Sequence, residues 1–138
     1  MSSFDLLEHI PRQSIDYSCG KIRYPFIELM SEIFRVLKPN GIFYSLTPAY
    51  PSKEAFQDPT HVNFITDDTH SYFCGENSIL SSYKFNGHFE KIESKRVFPE
   101  EIYGNTKPSL KIKKLRYKLI GKKMTHLLWI LKAVKNYD

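Results

Sequence analysis

The chain has 138 residues, of which 41% are hydrophobic and 25% charged, a balance that fits one ordinary globular domain and excludes a disordered polymer. No apolar run approaches the roughly 20 residues a membrane-spanning helix needs, and Met1 to Glu8 lack the charged start and apolar centre of a secretory leader, so a cytoplasmic location is expected. The formal net charge of +5 is uneven: residues 1–106 hold 10 Lys and Arg against 14 Asp and Glu, whereas residues 107–138 hold 10 Lys and Arg against Asp138 alone.

Ser3–Leu6 reads as a short strand that runs into a loop at Glu8-His9 and Pro11. Residues 13–24 show no period and are expected to be connection. Phe26, Leu29, Met30, Ile33, Phe34 and Leu37 recur at three- and four-residue steps behind Pro25, which predicts an amphipathic helix over Pro25–Lys38. Pro39 stops it, and Asn40-Gly41 supplies turn residues that tolerate positive φ. The apolar run Ile42–Thr47 then predicts a strand buried on both faces. Strand, helix and strand form a βαβ unit. Residues 48–68, with three prolines and no period, are a long loop of the kind that carries function. Beyond it the pattern predicts a modest helix over Glu76–Lys84, a turn at Asn86-Gly87, a strand over Phe89–Phe98 and a turn-rich patch over Pro99–Pro108. Thr125–Val134 reads as a closing strand, with a helix of the same length left open.

Two segments carry a resemblance to a known family. Phe4-Asp5-Leu6-Leu7-Glu8-His9-Ile10-Pro11 and Arg35-Val36-Leu37-Lys38-Pro39-Asn40-Gly41, in this order around the βαβ unit, are similar to the second half of class I S-adenosylmethionine-dependent methyltransferases that act on small molecules. The family pattern has glycine where this chain has Asn40. The resemblance covers residues 3–98 well and 125–134 loosely. It implies an α/β fold, the C-terminal half of a doubly wound, mostly parallel, Rossmann-like sheet. One partial domain over 1–138 follows, with the core and acceptor loop in 1–98, a basic connecting segment in 99–124 and a closing strand in 125–134. The family's glycine-rich cofactor turn is missing: Gly41, Gly75, Gly87, Gly104 and Gly121 are isolated, and Gly20 follows no predicted strand. The resemblance therefore implies an incomplete sequence, a split subunit or a decayed copy, with the first strand's backbone groups open to a partner.

The same resemblance implies methyl transfer from S-adenosylmethionine to a small-molecule acceptor, with an incomplete cofactor site. Asp5, Leu6 and Glu8 would lie against the cofactor, and Asp5 and His9 beside its reactive end, where they could orient the acceptor or take its proton. Asp5 and Glu8 could instead cap the following turn. His61, Asn63 and Tyr72 are candidates for acceptor binding, with His61 as general base. Equally, Asn63 could cap a turn and Tyr72 pack in the core. His70 and Cys74 stand four residues apart downstream of His61 but find no fourth ligand of matching spacing, so no metal is expected. Cys19 and Cys74 are expected as reduced thiols. Phe43, Tyr44, Phe56, Phe64 and Phe73 could stack on a ligand, although core packing accounts for them.

Two alternatives come from other classes. One is a non-catalytic or split-subunit partner that pairs with a complementary methyltransferase chain. The other is a basic module: Lys107, Lys111, Lys113, Lys114, Arg116, Lys118, Lys122 and Lys123 would suit a phosphorylated acceptor or an anionic membrane surface, with nucleic acid the weaker choice. A solvated helix face accounts for the same run of charge.

Overall fold

A computed structural model describes residues 1–75, 83, 85–103, 121 and 123–135. Its elements in chain order are β1 (Ser2–Phe4), β2 (Ser14–Asp16), β3 (Lys21–Arg23), α1 (Pro25–Val36), β4 (Ile42–Pro48), β5 (Phe89–Val97), α2 (Pro99–Tyr103) and β6 (His126–Ala133). The predicted helix over Glu76–Lys84, apart from Tyr83, and the basic segment from Lys107 to Lys122, apart from Gly121, lie outside the described residues.

Helix α1 ends at Val36, earlier than the expected Lys38, because Leu37 is already extended at φ −67° and ψ 141°. Two residues farther on, Asn40 adopts φ +60°, a left-handed conformation that asparagine accepts at lower cost than most residues. Its N–H donates to the carbonyl of Ala133 at 2.9 Å, tying the turn to the end of β6. The glycine that follows is required by space, since a Cβ on Gly41 would lie 2.7 Å from the Lys38 carbonyl oxygen.

The main sheet has the order β1-β4-β6-β5. Strands β1 and β4 pair in parallel, with Ser3 opposite Ser45. Both remaining pairs, β4 with β6 and β6 with β5, are antiparallel. The expected doubly wound, mostly parallel sheet is thereby overturned: the described residues form a small mixed α/β fold whose four-stranded sheet has one parallel strand pair of three. The physical reason lies in the connections. A parallel return needs a crossover of a dozen or more residues, usually a helix. Among the described residues only α1 is long enough to supply one, because α2 has five residues. Strand β5 is a charged edge, exposing Glu90, Lys91 and Ile92, as an antiparallel edge strand open to water does.

Alternation along β4 and β6 sorts the core into two faces. Phe43 on β4 and Leu127, Trp129, Leu131 and Ala133 on β6 pack in one cluster with Phe26, Met30, Ile33 and Leu37 of the helical segment. Burying each such large side chain contributes on the order of 1.5–3 kcal/mol. On the opposite face Leu46, Val97 and Leu128 form a smaller cluster joined by Ile102 of α2.

Residues 13–24, expected to be connection, contain the hairpin β2–β3, with Ile15 opposite Ile22. Asp16 closes its turn by accepting hydrogen bonds from the N–H and hydroxyl of Ser18 at 3.0 and 2.6 Å, and Gly20 takes φ +68°. The strands have only three residues each and Ile15 and Ile22 are both exposed, so no hydrophobic alternation marks them in the sequence. No helix among the described residues is long and apolar enough to cross a membrane.

Candidate functional site

The carboxyl ends of β1 and β4 and the start of β6 meet at one edge of the sheet, since the antiparallel register sets Pro48 opposite His126. Asp5 leaves β1 at φ +46°, a conformation that costs a non-glycine residue about 1–2 kcal/mol. A single 3-10 turn over Leu7–His9 follows and carries the Glu8 side chain inward, to 1% exposure. The Thr47 hydroxyl donates to Glu8 Oε2 at 2.7 Å. Glu8 Oε1 is buried without a hydrogen-bond partner. Leaving a carboxyl oxygen buried and unpaired is costly in a low-dielectric interior, and such a group calls for an explanation, a bound ion or a catalytic role among them.

The long loop closes over this turn through backbone groups. Val62 and Asn63 both donate their N–H to the Glu8 carbonyl at 2.9 Å, and Asn63 Nδ2 donates to the Leu7 carbonyl at 3.1 Å. Arg12 Nε donates to Asn63 Oδ1 at 2.7 Å. The buried Asn63 side chain is thus committed to a clamp between loop and turn. Leu6 is 42% exposed, and its carbonyl accepts from the His9 N–H.

His9 and His61 stand edge to face with ring centroids 4.8 Å apart. His61 Nδ1 lies 3.2 Å from the Ala55 carbonyl oxygen, an acceptor only, so Nδ1 is the donor there, while Nε2 stands 3.9 Å from Asp58 Oδ2. His9 Nδ1 lies 3.0 Å from the Thr60 hydroxyl, whose proton goes to Asp58 Oδ1 at 2.6 Å. Nδ1 of His9 is therefore also the donor. The hydrogen bonds from the Thr60 hydroxyl and N–H hold the Asp58 carboxyl below the usual carboxylate range.

On the other side of the turn Asp5 is gripped by two residues from distant parts of the chain. The Tyr103 hydroxyl donates to Asp5 Oδ2, and His126 Nε2 lies 3.7 Å from Oδ1. Burial, and after it the bond to Asp5, pushes the Tyr103 hydroxyl well above the ordinary tyrosine range, so it stays a donor. Burial lowers the His126 pKa, with Asp5 opposing. Neutral at physiological pH, His126 faces Asp5 without forming an ion pair.

Of the residues singled out in sequence, the structure brings together Asp5, Glu8, His9 and His61. Tyr72 belongs elsewhere: it lines a cleft of about 560 Å³ with Arg12, Tyr24 and Thr66, and neither His61 nor Asn63 reaches it. Arg12, bonded to Asn63, is the link between that cleft and the loop. His70 is buried with its ring 6.1 Å from that of Trp129, and Cys74 forms a bridge with Phe89. Phe43 and Phe73 are core residues, whereas Phe56 and Phe64 stack on each other at the surface, half-exposed. Sequence reasoning missed Thr47, Thr60, Tyr103 and His126. For His126 alone a signal existed, its place at the start of the closing strand. No protein-family model matches the chain, and no curated protein matches it.

Proposed function

We propose that this chain provides the acceptor side of a site for methyl transfer from S-adenosylmethionine to a small-molecule nucleophile. The observation that carries the proposal is the turn that follows β1, where β1 and β4 run parallel: it sets the buried Glu8 carboxyl beside the His9 and His61 imidazoles and, on its other side, Asp5 beside Tyr103 and His126. Ligands of open α/β sheets bind at that end of parallel strands. The residues fit the cationic end of the cofactor: an unpartnered Glu8 oxygen and Asp5 favour positive charge. Among the described residues, Gly20 with its positive φ sits in the β2–β3 hairpin and not in the turn after β1.

When bound, S-adenosylmethionine supplies a methyl group on a sulfonium that is a ready leaving group. The chain's own contribution is alignment and proton removal. His9 or His61, through Nε2, is placed to accept the proton of an acceptor hydroxyl or amine. Tyr103 holds the Asp5 carboxylate by its hydrogen bond, with His126 facing it, and the Asn63–Arg12 clamp fixes the loop that carries His61.

A second role is favoured by the sheet's edge. Among the described residues strand β1 pairs on one side only, with Phe4 46% exposed, so a complementary chain could add there by backbone pairing.

Amide NMR spectra of the full chain, recorded with chelator and increasing S-adenosylmethionine, test the main proposal. Saturable shifts confined to residues 5–9, 61–63, 103 and 126 are expected, weaker with S-adenosylhomocysteine, whose sulfur is a neutral thioether, and reduced in Asp5→Asn. No saturable shift, or equal shifts in Asp5→Asn, would overturn it.

A further inference from the structure

We propose that Glu8, His9 and His61 form a binding site for one zinc ion. One ligand atom from each of the three lies within 4.8 Å of those of the other two. Two imidazole nitrogens and a carboxylate are a known zinc donor set, one that leaves a fourth position for water or a ligand.

Proximity alone would not carry the inference, and two independent observations do. First, Glu8 is 1% exposed, and its Oε1 has no hydrogen-bond partner while Oε2 is held by Thr47. A cation would satisfy the oxygen that the protein leaves bare. Second, both imidazoles already have Nδ1 engaged, as ligating histidines do, which leaves Nε2 as the nitrogen to meet a metal. His61 Nδ1 donates to the Ala55 carbonyl, and His9 Nδ1 is linked through Thr60 to the Asp58 carboxylate. That relay places a negative charge behind one ligand, and Asp58 Oδ2 stands 3.9 Å from His61 Nε2 on the other.

Zinc–nitrogen bonds of about 2.0–2.1 Å set ligand atoms roughly 3.4 Å apart in a tetrahedron. The cluster must therefore contract modestly. His9 and His61 are only partly buried, so rotation about their side-chain bonds can supply this while Glu8 stays anchored. Soft thiolate coordination is not involved: neither Cys19, which is exposed, nor Cys74 belongs to the cluster. Zinc would occupy the same imidazole nitrogens and Glu8 oxygen that the methyl-transfer reading uses for a base and for the sulfonium, so the two are competing occupancies of one site, and each stands or falls without the other.

The test is titration of the full chain, carrying Cys19→Ser and Cys74→Ser to remove competing thiols, with Zn²⁺ by calorimetry and with Co²⁺ by visible absorption. One equivalent should bind, with the intense bands of a tetrahedral cobalt site. His9→Asn and His61→Asn should each weaken binding at least about tenfold, the loss seen even for changes in groups that only support a ligand. His70→Asn should leave it unchanged. Far-UV circular dichroism checks the fold of each variant, and the two partly exposed histidines decide the matter if Glu8→Gln fails to fold. No stoichiometric uptake, or uptake indifferent to both histidine changes, overturns the proposal. Metal uptake is measured without S-adenosylmethionine and cofactor binding with chelator, so that either can fail alone.

Discussion

The half-satisfied Glu8 carboxylate makes a prediction about stability that depends on no ligand. Thr47→Val replaces the hydroxyl that donates to Oε2 at 2.7 Å with a methyl group of similar shape, at a position 1% exposed. Hydrogen bonds to charged groups contribute about 1.5–3 kcal/mol, so the variant should lose about 2 kcal/mol. Glu8→Met removes the buried charge but leaves the Thr47 hydroxyl without its acceptor, and its net effect should be small. In the double variant neither polar group remains, and such paired replacements are close to neutral or stabilising. The double-mutant cycle should therefore return a coupling of about 1.5–3 kcal/mol. Urea unfolding followed by circular dichroism, in chelator so that no cation compensates, measures all four corners. Single effects that add to within about 0.5 kcal/mol, the scatter of independent sites, would refute the view that Thr47 is what holds this carboxylate inside.

Other consequences follow from single residues. Asn40 sits at φ +60°, so Asn40→Ala should cost about 1 kcal/mol in the same unfolding assay, while Asn40→Gly should cost nothing or stabilise slightly. Because burial lowers the folded-state pKa of His126 below 6.5, its contribution to stability is present above that pH and is lost as pH falls from there towards the folded value. His126→Gln should flatten the loss of stability below neutrality, and the ring resonances of the native protein should titrate below the usual histidine range. Tyr103 behaves in the opposite sense. Its folded pKa is raised above 10, so its stabilisation is complete below pH 10 and fades as the pH climbs further; Tyr103→Phe should show a shallower alkaline decline. Gly41→Ala should destabilise through the 2.7 Å approach to the Lys38 carbonyl, read as a lower urea midpoint at unchanged slope.

Local patterns in the chain determined a good deal. The three- and four-residue recurrence from Phe26 to Leu37 commits that stretch to a helix with one buried stripe, and Pro39-Asn40-Gly41 to ending it, because propensity and turn chemistry act over a few residues. The apolar run after the turn had to be a covered strand, and β4 is one. The proposed site was legible only in part: Asp5, Glu8 and His9 follow a strand end, and their neighbourhood in sequence is their neighbourhood in space.

Pairings between distant segments were decided by the tertiary structure alone. Sheet direction is one example. Nothing local in His126–Ala133 says that it inserts between β4 and β5 antiparallel to both, since a strand's alternation is the same whichever way its neighbour runs. The same holds for the side chains around Asp5 and Glu8. Tyr103 reaches Asp5 across 98 residues, Thr47 reaches Glu8 across 39, and His61 meets His9 because Asn63 bonds back to Leu7 across 56. Such contacts are chosen by packing and hydrogen-bond satisfaction over the whole fold. The unpartnered Glu8 oxygen is visible only there, since burial is a property of the folded chain.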